Sequence, residues 1–247
     1  MLDELPPLAL AEDGGLAVAS GQEPSESHRH FSHLMAIHPL RRIDGADPCA
    51  AASIARLEAL GTDNWMGYTF AWMAGLYAAA GRGEDALRML RQFDRGFRIR
   101  SNGFHTNGEI GPEKLTRWPF EAFTLEGNCA AMAAIQDMLL QSDAGVVHFL
   151  PAIPASWPHL SFRGLLAQGG ITVDLDLGPE RTEAVLRASE DREVTVRLRG
   201  TDLARVSLAA GEPLRLCLPN NDPFLTGACH DPASRLPTRR LNRSLPD

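Results

Sequence analysis

The chain has 247 residues, a net charge of −7 and 44% hydrophobic residues, which is ordinary for a soluble globular protein with a substantial core. The negative charge argues against a nucleic-acid binder, because such a protein needs a basic face to neutralise phosphates. No apolar stretch is long enough to cross a bilayer. The first residues are acidic and reach Pro6 and Pro7 at once, unlike a signal peptide. We therefore expect a cytoplasmic chain, although a longer full-length protein could be exported.

The four cysteines, Cys49, Cys129, Cys217 and Cys229, are scattered without CxxC spacing. This distribution favours isolated reduced thiols over a disulfide framework or a metal cage, and we expect neither a metal nor a cofactor. Histidine is distributed differently, since four of the eight histidines lie between positions 28 and 38. That stretch is therefore a candidate for chemistry.

Three segments have the apolar spacing of amphipathic helices. Adjacent helices joined by short glycine-containing turns are expected to form helical hairpins. The predicted helices cover residues 50–60, ended by Gly61, then a stretch capped by Asp63 that runs through Tyr77, then residues 84–93.

A long irregular segment follows over residues 96–123, rich in glycine, asparagine and aromatic residues. Structureless segments of this length are uncommon in compact domains and are usually functional where they occur. A fourth helix is predicted over residues 127–141. Because that helix is apolar on most faces, we expect it to be buried nearly all round.

After Asp143 the helical periodicity gives way to an alternation of apolar and polar residues. Short runs rich in β-branched residues, separated by Gly, Pro and Asp, predict a small antiparallel β-domain whose sheet has one solvent-exposed face. The predicted strands cover residues 146–150, 169–177, 182–188, 193–198 and 214–217. We divide the chain into an N-terminal loop segment (1–49), a helical segment (50–143), a β-domain (144–218) and a tail expected to be unfolded (219–247).

The first candidate site cluster is the sequence Glu-Ser-His-Arg-His-Phe-Ser-His-Leu over residues 26–34. Two imidazoles and a guanidinium at His28, Arg29 and His30 are unsuited to a core, where each polar head needs a partner. Sites that bind uncharged, hydroxyl-rich sugars use such forked donors and acceptors. A solvated loop is the alternative, and a metal site is another, although metal-binding helices usually space two histidines four residues apart.

The second candidate cluster opens the fourth predicted helix, at Glu126, Gly127 and Asn128. A carboxylate at a helix start is stabilised by the helix dipole, so a capping role is one interpretation of Glu126. The helix that follows is apolar all round, which indicates that its N-terminus points into the protein. A carboxylate held there, with Gly127 allowing close approach of a ligand and Asn128 able to hold a water, suits a general base.

The third candidate group is aromatic. Trp65, Tyr68 and Trp72 share helical spacing, which is more typical of core residues than of a sugar-stacking platform. Trp118 lies on the long irregular segment together with His105 and is the better candidate for the wall of a binding site.

These motifs, in this order, resemble glycoside hydrolase family 95, the inverting α-L-fucosidases and related α-L-galactosidases. The resemblance covers roughly residues 5–200. The stretches that carry it are Leu5-Pro6-Pro7-Leu8, His28-Arg29-His30-Phe31-Ser32-His33-Leu34 (family His-Arg-His-x-Ser-His-Leu), Gly67-Tyr68-Thr69-Phe70-Ala71-Trp72 (Gly-Trp-Ser-x-Ala-Trp), Phe123 to Asn128 (Phe-x-Ile-Asp-Gly-Asn), Asp137 to Ser142 and Leu150 to Pro158.

The resemblance implies a catalytic (α/α)₆ barrel with β-domains before and after it, so that this chain would be an α+β protein with a partial barrel of helical hairpins and a small antiparallel β-sandwich. It also implies that Arg29 and His30 bind the sugar and that Glu126 takes the place of the family's water-activating carboxylate. The resemblance and the three candidate clusters together give the predicted site. Glu126 is its catalytic residue, and its substrate-binding residues are His28, Arg29, His30, His105, Trp118 and Asn128.

Two departures from the family pattern bear on activity. The family has aspartate where this chain has Glu126, and catalysis is sensitive to displacements of about 1 Å. A six-hairpin barrel needs about twelve helices, whereas four or five are predicted here, and the family's general acid and water-positioning asparagines lie upstream of anything present. Glu26, Glu109 and Glu121 are possible acids, and the sequence favours none of them.

The favoured hypothesis is that this chain is the C-terminal portion of an inverting glycoside hydrolase that acts on an oligosaccharide substrate. We expect no nucleic-acid or membrane partner. A separate chain could supply the missing barrel helices. The alternative is a non-catalytic carbohydrate-binding or vestigial module.

Overall fold

A computed structural model of the chain describes residues 7–120, 123–179 and 181–218. The chain forms two compact units, residues 1–138 and residues 139–247. The described part of the first unit holds the helices, and that of the second holds two four-stranded sheets. None of the helices that the structure describes is long and apolar enough to span a bilayer.

Helix α1 covers Pro48–Leu60, close to the predicted bounds. Its start is fixed by Asp47, whose carboxylate accepts the backbone N–H of Cys49 at 2.7 Å, and by Pro48 in the first turn. Its end is fixed by Gly61, which adopts a φ of 72° that favours glycine. The predicted end of this helix is confirmed. A short 3-10 helix, Ser32–Ala36, precedes α1.

Helix α2 covers Gly67–Ala79 and is buried on nearly every face. The predicted cap, Asp63, is wrong, since the helix begins four residues later. Thr69 takes the capping role instead, because its hydroxyl accepts the backbone N–H of Met66 at 3.1 Å. Trp65 and Trp72 are buried, as the helical spacing predicts for core residues, whereas Tyr68 is half-buried.

Helix α3 covers Gly83–Phe97, four residues beyond its predicted end. Phe97 is fully buried, and Asp94 and Arg98 form an ion pair across the last turn, so packing and charge extend the helix where the apolar pattern weakens. The irregular segment that follows contains two short strands, β1 (His105–Thr106) and β2 (Phe123–Thr124), which pair with each other in antiparallel fashion.

Helix α4 covers Glu126–Leu139, and two predictions about it are wrong. Leu140 and Gln141 are predicted to end the helix, but they belong to strand β3 (Leu140–Asp143), which pairs with the next strand through a tight turn at Ala144 and Gly145. The expected burial all round is also absent, since Met132 is 64% exposed and Ile135 is 42% exposed.

A partly buried polar cluster holds α4 in place. Arg41 donates to the carboxylate of Asp137 in α4 at 2.7 Å, and His38 Nδ1 lies 3.5 Å from the other oxygen of that carboxylate. The His38 ring also packs on α2, where a Cβ atom at Gly75 would lie 2.4 Å from its Nε2 atom. The segment carrying His38 and Arg41 therefore connects α2 with α4.

The second unit is a β-sandwich of two four-stranded sheets, and residues of both sheets share one hydrophobic core. After β3, its strands are β4 (Val146–Phe149), β5 (Leu160–Ala167), β6 (Ile171–Leu177), β7 (Thr182–Ala188), β8 (Arg192–Leu198), β9 (Thr201–Leu208) and β10 (Pro213–Leu218). The sheets are ordered β10-β7-β6-β5 and β3-β4-β8-β9, and all neighbouring strands are antiparallel except β4 and β8.

All five predicted strands are present, and strands β3, β5 and β9 of the sandwich were not predicted. A bulge between Phe162 and Leu165 in β5, next to a glycine with φ of 70°, disturbs the alternation that marks a strand. The cysteine prediction is partly wrong, because Cys217 in β10 is disulfide-bonded, whereas Cys49 and Cys129 are free. The predicted tail, 219–247, lies outside the described residues.

A matched pair of leucine variants tests the sandwich core. Leu175 in β6 is 1% exposed and Leu166 in β5 is 68% exposed. Leu175→Ala should lower the free energy of unfolding by about 2–5 kcal/mol, because it leaves a cavity. Leu166→Ala should change it by less than about 0.5 kcal/mol. Urea unfolding measures both, and equal losses would contradict this assignment of the core.

The His38 cluster predicts a loss of stability in acid. Burial and then the charge of Arg41 lower the pKa of His38 from 6.5 to about 4. The unfolded chain therefore binds this proton near pH 6.5 and the folded chain near pH 4, so stability falls as the pH is lowered between these values. His38→Asn removes the titrating group, and its unfolding free energy should depend less steeply on pH over this window. Parallel pH profiles of the two proteins in urea unfolding would refute the prediction.

Candidate active site

The N-terminus of α2 connects the two polar clusters of the candidate site. The backbone N–H of Gly67 donates to the carbonyl of Asn107 in the irregular segment at 2.9 Å. Two residues later, the hydroxyl of Thr69 donates to the carbonyl of Arg29 at 2.8 Å. One turn of helix therefore fixes both the backbone of the His-Arg-His segment and the backbone near His105.

The side chains of His28, Arg29 and His30 are exposed and interact with one another. Arg29 Nε donates to His30 Nε2 at 3.0 Å, and the backbone N–H of His30 donates to His28 Nδ1 at 3.1 Å. Partial burial, followed by the charges of Arg29 and His28, lowers the pKa of His30, which favours the neutral ring that can accept from Arg29. The segment thus presents several donors and acceptors to solvent in a fixed arrangement.

Buried neighbours anchor this exposed segment at both ends. On one side, the Phe31 ring is buried and lies 5.5 Å from the Trp65 ring and 5.6 Å from the Trp72 ring. On the other side, the Ser27 hydroxyl donates to the carbonyl of Gly61 at 2.9 Å. The polar side chains of His28 to His30 therefore project from a backbone that the aromatic core holds.

Asn64 links this segment to Trp118. Its amide Nδ2 donates to the carbonyl of Ser27 at 2.9 Å, and its Oδ1 accepts from Arg117 Nε at 2.6 Å. The Arg117 guanidinium lies 5.4 Å from the centre of the Trp118 ring, within the range of a cation–π interaction. Trp118 is 39% exposed. A chain of contacts thus runs from the His-Arg-His segment to the predicted aromatic wall.

His105 is fully buried and connects the irregular segment with the start of α4. Asn128 Oδ1 lies 3.0 Å from the backbone nitrogen of His105 and 3.2 Å from its Nδ1 atom. Both nitrogens donate to this oxygen, so the proton of the neutral ring is on Nδ1. Nε2 therefore accepts from the Thr124 hydroxyl at 2.7 Å. Burial lowers the pKa of His105, against smaller raising effects of Asn128, Glu126 and Thr124, in accord with a neutral ring.

Two glycines make room for the His105 ring. A Cβ atom at Gly127 would lie 2.6 Å from His105 Nε2, and a Cβ atom at Gly67 would lie 2.9 Å from His105 Cδ2. The helices α2 and α4 therefore approach the same ring with their first turns. The contacts of His105 support a role in holding these turns, and its predicted contact with a sugar stays a prediction.

Glu126 is the first residue of α4, and its side chain is exposed. Its Oε2 atom accepts the backbone N–H of Leu125 at 3.1 Å. The charge of Glu126 acts on Tyr68 in α2, because it adds to the effect of burial in raising the pKa of that phenol. The Tyr68 ring packs against the Trp72 ring in a tilted arrangement, with ring centres 5.5 Å apart. Because Gly127 and Gly67 both lie against the His105 ring, the residue before Gly127, Glu126, lies near the N-terminus of α2.

Tyr68 and Thr69 are the residues through which the two clusters approach each other. Tyr68 interacts electrostatically with Glu126, and the adjacent Thr69 holds the backbone of Arg29. Asn64 and Thr124 complete this network and were not predicted as site residues. A single polar residue beside aromatic residues forms no recognisable sequence pattern. We predict that Arg29, His30 and Glu126 face one shared cavity.

The remaining candidates for acid chemistry are placed as follows. Glu26 is exposed, and Glu121 lies outside the described residues. Glu109 is 7% exposed, and its Oε2 accepts the backbone N–H of Thr116 at 3.0 Å, so it stabilises the turn that leads to Trp118. Among residues 7–120, 123–179 and 181–218, no three His, Cys, Asp or Glu side chains are grouped so as to hold a metal ion.

A groove of about 500 Å³ lies elsewhere, along α3, and none of the predicted site residues lines it. Its lining is charged and consists of Glu84, Asp85, Arg88, Arg91, Gln92, Arg95 and Glu113.

The contact between Gly127 and His105 can be tested by adding a methyl group. Gly127→Ala should lower the unfolding free energy by about 1–3 kcal/mol, because the new Cβ atom overlaps the ring, although alanine favours helices by about 1 kcal/mol over glycine. Cys129→Ala, at an exposed position of the same helix, is the control and should be neutral. A Gly127→Ala variant as stable as the wild type would contradict the proposed close packing.

Comparisons with known proteins agree with the two units. The sequence model of the glycosyl hydrolase family 95 catalytic domain matches residues 1–139, and that of the glycoside hydrolase family 95 C-terminal domain matches residues 141–213. Alpha-L-fucosidase 2 of Arabidopsis thaliana is 31% identical over 178 residues, which are 70% of this chain and 20% of that protein. This chain thus spans about a fifth of that relative's length.

Among solved structures, a putative kojibiose phosphorylase from the human microbiome is similar with a TM-score of 0.48 and 9% identity, over 79% of this chain and 25% of that chain. The match to the catalytic-domain family covers more than half of the sequence. The chain therefore belongs to glycoside hydrolase family 95.

Proposed function

We propose that this chain is the C-terminal portion of an inverting glycoside hydrolase that acts on α-L-fucosides or related α-L-glycosides, with Glu126 as the general base. One observation carries the proposal: Glu126 is an exposed carboxylate whose neighbours in sequence, Thr124, Gly127 and Asn128, all contact the buried ring of His105. The carboxylate is therefore free towards solvent, while the turn that carries it is rigid.

A general base in an inverting enzyme must deprotonate a water on the face of the sugar ring opposite the leaving group. An exposed glutamate on the first turn of a helix suits this role, because its carboxylate is accessible to a water molecule and to substrate while the helix holds its backbone. Asn128 donates to the carbonyl of Gly103 at 3.0 Å and accepts from His105, so we assign it to orienting the turn beside Glu126. Asn128 Nδ2 has a second hydrogen that these contacts do not use, and the predicted role of Asn128 in substrate binding rests on that hydrogen.

The sugar would bind between Glu126 and the His-Arg-His segment. His28, Arg29 and His30 offer exposed donors and acceptors that match the hydroxyl groups of a sugar. Trp118 offers a partly exposed aromatic face against which the apolar side of a sugar ring can pack. The contacts of Thr69 and Asn64 support this arrangement, because they fix the backbone on which these side chains stand.

The general acid would come from outside this chain. Inversion requires two carboxyl groups about 6.5–9.5 Å apart, so that a water fits beside the sugar. Glu109 is buried and already holds Thr116, which does not suit proton donation to a leaving group. Since the Arabidopsis relative is about five times as long as the region matched here, the acid can lie in the remainder of the family's catalytic domain.

Hydrolysis of an aryl α-L-fucoside tests the proposal. The chain alone should be inactive, and a chimera in which it replaces the matched 178 residues of the Arabidopsis relative should be active. In the chimera, Glu126→Gln should lower kcat by roughly 10²–10⁴ and leave fucose binding largely intact, because the amide cannot accept a proton. Glu190→Gln, at an exposed turn of the β-sandwich, is the matched control.

Two outcomes would contradict the proposal. Robust turnover by the chain alone would show that the acid lies within it. Unchanged turnover of the Glu126→Gln chimera would remove Glu126 from the mechanism. A chimera that binds fucose without hydrolysing it would support the alternative, a carbohydrate-binding or vestigial module.

A further inference from the structure

Tyr68 belongs to the candidate site, but its hydroxyl group has no assigned role. Its spacing with Trp65 and Trp72 predicts a core residue, yet both tryptophans are buried and Tyr68 is only half-buried. Among the residues that the structure describes, none forms a hydrogen bond with the Tyr68 hydroxyl. The other tyrosine, Tyr77, is 2% exposed, and its hydroxyl donates to Glu58 Oε1 at 2.7 Å. The Tyr68 hydroxyl is therefore available to a ligand.

Two contacts with one histidine ring bring Tyr68 close to Glu126. A Cβ atom at Gly67 would lie 2.9 Å from His105 Cδ2, and one at Gly127 would lie 2.6 Å from His105 Nε2. Tyr68 directly follows the first of these glycines, and Glu126 directly precedes the second. Burial, and then the negative charge of Glu126, raise the pKa of the Tyr68 phenol, in accord with this proximity.

The phenol and the carboxylate offer complementary groups to one oxygen atom of a ligand. Tyr68 keeps its proton at neutral pH and can donate it, whereas an ionised carboxylate only accepts. Glu126 Oε2 accepts the backbone N–H of Leu125 at 3.1 Å, and no hydrogen bond joins Glu126 to Tyr68 in the described structure. A water molecule between the two groups can accept a hydrogen bond from Tyr68 and donate one to Glu126.

The two positions also depart together from the family's motifs. Those motifs have tryptophan where this chain has Tyr68, and aspartate where it has Glu126. The longer carboxylate side chain reaches one methylene further, and the phenol is smaller than an indole and carries a hydroxyl group. Because the two residues are neighbours in the fold, a gain of volume at one position accompanies a loss at the other.

We propose that Tyr68 and Glu126 together bind the attacking water, with the Tyr68 hydroxyl donating to the water oxygen and Glu126 accepting one of its protons. The second lone pair of that oxygen then forms the bond to the anomeric carbon, the proton passes to Glu126, and the leaving group departs with the proton of the general acid. The identity of the ligand as this water rests on the proposed function, whereas the proximity of Tyr68 to Glu126 does not.

Carbon-13 NMR of the isolated chain tests the proximity without any assay of activity. The chain has two tyrosines, so tyrosine labelled at Cζ gives two signals, which Tyr68→Phe assigns. Glu126→Gln should shift the Tyr68 signal and leave the Tyr77 signal in place. Glu58→Gln is the matched control and should move the Tyr77 signal alone, because Glu58 accepts from that hydroxyl.

Kinetics of the chimera with the Arabidopsis relative test the role of the water. Tyr68→Phe removes only the hydroxyl, so kcat for an aryl α-L-fucoside should fall about 10- to 100-fold while KM changes little. Tyr77→Phe is the control and should keep its activity. The double variant of Tyr68→Phe with Glu126→Gln should be no slower than Glu126→Gln alone, because both side chains act on one water.

Separate results would overturn each step. A Tyr68 signal that does not respond to Glu126→Gln would refute the proximity, whatever the chimera does. Unchanged kcat of the Tyr68→Phe chimera, or losses that multiply in the double variant, would refute a shared water and leave the general base in place. A wild-type chimera without turnover would contradict the proposed function and with it the role of the water, while a shifted Tyr68 signal would still support the proximity.

Discussion

The start of α2 packs against the ring of His105 with no room for a Cβ atom at Gly67, and the candidate site depends on this contact. The ring is buried between two helix N-termini, and both ring nitrogens are hydrogen-bonded. Because an unpaired polar atom at such a position would cost about 1–3 kcal/mol, the partners Asn128 and Thr124 are fixed together with the ring. The turn that carries Glu126 is held as a result.

The same helix start also positions the residues that we propose to bind the sugar. Thr69 accepts the N–H of Met66 and donates its own proton to the carbonyl of Arg29, so one hydroxyl both begins α2 and fixes the His-Arg-His segment. The aromatic residues beneath, Phe31, Trp65 and Trp72, give this arrangement an apolar base. The exposed polar side chains can then remain in water while their backbone is held by the core, which is the condition for a preformed binding site.

Helix α4 carries the proposed base and is tied to the other helices. Glu126 is its first residue, and Asp137 near its other end is paired with Arg41. This ion pair and the His38 ring hold α4 to α2.

The sequence by itself determined the elements whose signals are local. Asp47 and Pro48 begin α1 and Gly61 ends it, the alternation of apolar residues marks five strands, and the motifs around His30 and Glu126 indicate the family. The tertiary structure decided what depends on distant partners. Leu140–Asp143 is a strand because β4 pairs with it, and α2 begins at Gly67 rather than near Asp63 because Thr69 caps it. His105 is a buried link because its ring lies against Gly67 and Gly127, which are about 40 and about 20 residues away from it in sequence, and no local periodicity encodes such a contact.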